Sequence, residues 1–178
     1  MLIIFWFQIW DLELCEETNS GGVVKFCIKS PNGEMGYPGN LSVSVTYTLV
    51  GNKLQIELEA RTDAPTPVNL VQHNYFNLMS EGEIGNHILW LDASEKVVVR
   101  EDLIPTGKTA SVVGTEFDFQ TNSKCLCDTQ GKPLSIDNTF VLSTTRESSK
   151  PAATLLSSDR EVELKLWTDQ AGIHGVLR

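Results

Sequence analysis

The stretch from Pro67 to Leu78 concentrates side chains that hydrogen-bond: Asn69, Gln72, His73, Asn74, Tyr75 and Asn77 stand among apolar neighbours. A plain core strand does not need so many. Buried polar groups are costly unless paired, so a set of this density reads as a network or a ligand site on a polar strand. Within it His73 can take or give a proton near neutral pH. Composition alone favours a structural role for a lone histidine of this kind. Asp137, in Ile136-Asp137-Asn138-Thr139, reads on the same terms as an ordinary turn aspartate. The three histidines, His73, His87 and His174, are far apart, and the cysteine pair Cys125 and Cys127 is C-x-C. Neither pattern has metal-site spacing, so no metal is expected.

The elements that must carry these residues read as strands. Leu41, Val43, Val45, Tyr47 and Leu49 alternate with Ser42, Ser44, Thr46 and Thr48. After Val50-Gly51-Asn52, Leu54, Ile56, Leu58 and Ala60 alternate with Lys53, Gln55, Glu57 and Glu59. Period-two alternation on both sides of a Gly-Asn turn predicts a β-hairpin. Shorter strands are predicted at Ile88–Leu91, Val97–Arg100, Ser111–Val113, Thr139–Leu142 and Glu161–Trp167. Turn signals such as Ser30-Pro31-Asn32-Gly33 and Pro105-Thr106-Gly107 separate them. No run of ten residues shows a helical stripe. Thr144–Ser158, rich in Ser, Thr and Ala, reads as an exposed loop. The fold class predicted is all-β, an antiparallel sandwich or barrel.

At 178 residues a single domain, 1–178, with a sizeable core is expected. The net charge is −9, with 14 Lys and Arg against 23 Asp and Glu. No basic stripe is present, which argues against nucleic acid as a partner. Four cysteines without a zinc or redox spacing suit free thiols in a reducing, cytoplasmic setting. The apolar start, MLIIFWFQIW, is too short to span a bilayer and lacks the marks of a signal peptide. It fits a buried strand, or a start that is not the natural one.

The segment around His73 resembles the signature of the aldose 1-epimerases, N-L-x-x-H-x-Y-F-N-L, through Asn69, Leu70, His73, Tyr75, Phe76, Asn77 and Leu78. Four further landmarks resemble the family in order: Ser30–Leu41 leading into a strand ending Thr46-Tyr47-Thr48-Leu49, Leu103–Gly107, Gly114–Phe119, and Ile136–Leu142. The resemblance covers roughly residues 10–172. It implies a galactose mutarotase-like supersandwich and interconversion of the α and β anomers of aldohexoses such as galactose and glucose. It implies that His73 is the acid that protonates the ring oxygen and that Asp137 binds sugar hydroxyls. His87 matches a position without a catalytic role, and His174 receives none. The implied chemistry is acid–base ring opening, worth roughly 10²–10⁴-fold per well-placed group, with no cofactor or metal.

The resemblance is incomplete at both ends. The family's base is a glutamate in a pattern like E-x-Q-x-x-P-D, and no residue here matches it. Nor do the earlier histidine and Asn-Arg segment of the family appear. Ile173–Arg178 diverges where the family has Gln-x-Tyr-Thr-Gly. These departures suggest an incomplete sandwich with impaired catalysis. The alternative is a carbohydrate-binding β-sandwich without turnover.

Overall fold

A strand sends successive side chains to opposite faces, and this chain builds almost entirely on strands. The computed structural model describes residues 8–121, 123–128 and 130–177. The apolar start expected to be a strand lies, for 1–7, outside the described residues. Next to it, Ile9 is exposed and Trp10 is partly buried.

The described chain divides into two units, 1–73 and 74–178. In the first, β1 (Asp11–Thr18), β2 (Gly21–Ser30), β3 (Leu41–Val50) and β4 (Lys53–Thr62) form one antiparallel sheet in sequence order. The anticipated hairpin is β3–β4, in register from Leu41 opposite Thr62 to Val50 opposite Lys53. Gly51 takes φ of 57° in its turn, a conformation that favours glycine. One face of the sheet buries Ile28, Leu41 and Val43, against which Trp10 and Leu70 pack. The strands β1 and β2 complete a meander that the sequence reading did not anticipate.

The second unit holds two more four-stranded antiparallel sheets. Its strands are β5 (Ile88–Leu91), β6 (Ala93–Val99), β7 (Pro105–Ser111), β8 (Lys124–Cys125), β9 (Ile136–Leu142), β10 (Ala153–Leu156), β11 (Glu163–Leu166) and β12 (Gly172–Leu177). One sheet has the order β11-β10-β5-β8, the other β12-β9-β6-β7. Their inner faces share one core: Leu91 and Ala153 from the first sheet, Ala93, Ile136, Phe140, Leu142 and Leu177 from the second, with Phe119 between strands. Phe119 and Phe140 meet edge to face, centroids 6.0 Å apart, an arrangement that aromatic quadrupoles favour.

Three sequence expectations are corrected here. Thr144–Ser158 is not a loop throughout: β10 is an inner strand, and Ala152, Ala153 and Ser157 are buried. Their small side chains look loop-like in composition but fit a close-packed interior. The strand expected at Ser111–Val113 lies earlier, at Pro105–Ser111, so that Pro105-Thr106-Gly107 opens β7 instead of separating strands. The register of β6 and β7 shifts between Val97 and Val99, which accommodates that start. The strand expected at Val97–Arg100 begins at Ala93.

Two candidate polar centres

His73 closes the first unit, at the end of an irregular run that follows β4. The signature segment is therefore not the polar strand that its sequence suggested. It lies outside the strands among the described residues, and its polar side chains are exposed from Gln72 to Asn77. Two contacts tie its first half to the sheet. Leu70 packs on the Ile28–Leu41–Val43 cluster, and the Tyr47 hydroxyl donates to Gln72 Oε1 at 3.3 Å. His73 is thus carried beside an anchored neighbour, with its imidazole on the solvent side.

The second half of the segment opens the second unit and is fastened there. The Leu78 amide donates to His87 Nε2 at 3.1 Å. Asn77 donates through Nδ2 to Gly82 O at 3.0 Å and accepts from the Met79 amide at 3.0 Å. His87 is completely buried. Because its Nε2 accepts, a neutral ring carries its proton on Nδ1. The backbone of His87 also accepts from the Leu126 amide. The sequence reading of His87 as structural agrees with this geometry: it holds the end of the signature in place.

Asp137 lies on β9, whose even-numbered residues Ile136, Phe140 and Leu142 are buried. Asp137 therefore projects from the opposite, solvent-side face. There it meets His174 of β12: Nε2 is 3.1 Å from Asp137 Oδ1, and Nδ1 is 2.9 Å from Thr139 Oγ1. His174 was given no part by the sequence. Its partners became visible only through the β9–β12 register, which sets His174 opposite Thr139. His73 and Asp137 belong to different units.

Among the described residues no group of three or more His, Cys, Asp or Glu gathers as for a metal ion. The four cysteines are free thiols. Burial, with Cys125 close by, pushes the Cys127 thiol above its ordinary range. No helix among the described residues is long and apolar enough to cross a membrane.

The antiparallel all-β architecture is one that solved structures share. An aldose epimerase homologue from C. elegans superposes with a TM-score of 0.77 at 28% identity, over 93% of this chain and 50% of that one. The aldose 1-epimerase family model matches residues 4–175, and the chain belongs to the aldose 1-epimerase family. It is 38% identical over 152 residues to the aldose 1-epimerase of Escherichia coli, covering 82% of this chain and 44% of that protein. It is 38% identical over 153 residues to the galactose mutarotase of Homo sapiens, covering 84% of this chain and 44% of that protein. The chain thus spans less than half the length of these relatives.

Proposed function

We propose that these residues form the acid-bearing and sugar-binding part of an aldose 1-epimerase acting on aldohexoses such as galactose and glucose. The observation that carries this reading is the family match across residues 4–175, with the signature histidine at His73. In this reading His73 protonates the ring oxygen, the C1–O5 bond opens to the aldehyde, and reclosure on the other face gives the other anomer. Asp137 accepts hydrogen bonds from sugar hydroxyls. The reaction calls for no cofactor or metal. The two units then belong to one mutarotase-like domain, which works in the cytoplasm with neither nucleic acid nor membrane as partner.

A second proton carrier must remove the C1 hydroxyl proton. Within the 178 residues no glutamate stands in the pattern of the family's base. The acid and one binding group alone should give little acceleration, since members of a concerted pair are strongly non-additive. Polarimetry of α-galactose tests this directly. The 178-residue chain should approach the spontaneous rate, and a chain extended with a relative's glutamate segment should exceed it by at least ~10²-fold. In the extended chain His73→Ala should lose about that factor, and an undiminished rate there would remove His73 as the acid. A second reading is a carbohydrate-binding β-sandwich without turnover. Galactose binding by calorimetry, with no acceleration in the extended chain either, would select it.

A further inference from the structure

Strands β9 and β12 run antiparallel, with Val176 opposite Asp137 and His174 opposite Thr139. The side chains of Asp137, Thr139 and His174 consequently share the face turned away from the core. There the imidazole lies between a carboxylate at 3.1 Å and a hydroxyl at 2.9 Å. A neutral ring satisfies both partners in one tautomer only: Nε2–H donates to Asp137 Oδ1, and Nδ1 accepts from the Thr139 hydroxyl. Thr139, stiff at χ1 because it is β-branched, fixes the far side of the ring.

We infer that His174 is the positioning residue for Asp137, holding the carboxylate in the orientation in which it receives sugar hydroxyls. The inference rests on the reading of Asp137 as a sugar contact. The side chains of His174 and Asp137 are 48% and 41% exposed. A pair this exposed contributes little to folding, so stability does not account for it. Orientation does: a half-exposed aspartate spends its time among several rotamers, and a ligand must then bear the cost of selecting one. The Thr139–His174 pair removes that freedom before sugar arrives.

Calorimetric titration of D-galactose into the 178-residue chain tests the inference, with ¹⁵N NMR of the His174 ring in the sugar-free protein. His174→Ala should weaken binding about tenfold, the size of one hydrogen bond to a charged group. His174→Gln, whose amide can still donate to Oδ1, should return it to within about threefold. Urea midpoints of both variants should match the native chain. The ring should show Nε2–H with Nδ1 as acceptor. Unchanged affinity in His174→Ala, alongside lost binding in Asp137→Asn, overturns the positioning role and leaves Asp137 as a sugar contact. So does a ring protonated on Nδ1 instead. If Asp137→Asn binds as the native chain does, or if no galactose binds, the assignment of Asp137 itself fails and the positioning role falls with it.

Discussion

Single side chains in this protein divide between holding the backbone and facing solvent. His87 is the clearest of the first kind. Its ring is buried and accepts the Leu78 amide where the signature ends. Truncation to alanine leaves a cavity and an unpaired amide together. His87→Ala should therefore cost about 2–4 kcal/mol in urea denaturation. The Leu78 amide should lose protection in hydrogen exchange well beyond the global change. Asp63 shows how an exposed group shapes acid behaviour. The Asn40 side chain and backbone amide both donate to its carboxylate, at 2.7 Å each, and hold it below the ordinary value of 3.8. A depressed folded value means the stabilisation is complete above the unfolded value and is lost as pH falls through the folded one. Below about pH 3.8 the native chain should lose this advantage over Asp63→Asn. Parallel stability curves for the two between pH 5 and 2 would refute that.

At the scale of elements, backbone closeness constrains sequence more than hydrophobicity does. Gly21 begins β2 opposite Val50, and a Cβ placed there would come within 1.8 Å of Leu49 O. No rotamer relieves a clash with backbone. Gly21→Ala should destabilise the first unit by about 2–3 kcal/mol, read as a lower midpoint in tryptophan-monitored unfolding. A midpoint equal to that of the native chain would show that the sheet corner yields freely. What was legible in the sequence follows the same physics. β3 and β4 were readable because one face is apolar and the other polar over ten residues. Ile88–Leu91 was readable because it is a compact apolar run. β10 was hidden because Ala152, Ala153 and Ser157 owe their burial to small size, which resembles a loop in composition. β1 was hidden because its residues are almost all exposed, so alternation carries no signal there. Of the two polar centres, His73 and Asp137 stand out in the sequence only through motif resemblance. His174 was not, since its meaning depends on which strand becomes its neighbour.

Across the molecule, the first sheet leaves an apolar stripe uncovered along its edge. Leu54 and Leu58 of β4 are 51% and 38% exposed, and Leu49 opposite Leu54 is 47% exposed. Edge strands with apolar side chains invite pairing with other chains, and lysine on an edge opposes it. Replacing Leu54 and Leu58 together by lysine should reduce light scattering at high concentration several-fold while moving the unfolding midpoint little. Undiminished scattering would place the association elsewhere. The two units also differ in how their strands find partners. Every pairing in the first sheet joins neighbours in sequence. In the second unit Leu91 must wait for Ala153, and Ile136 for Leu177. On a ribosome, which releases a chain from its N-terminus at roughly 5–20 residues per second, the first sheet can close while the second unit is still being made. That core cannot close until β12 emerges. For those seconds Leu91, Phe119 and Phe140 are exposed to whatever else the cell offers. Yield during synthesis will then depend on the second unit, even where the finished molecule is stable.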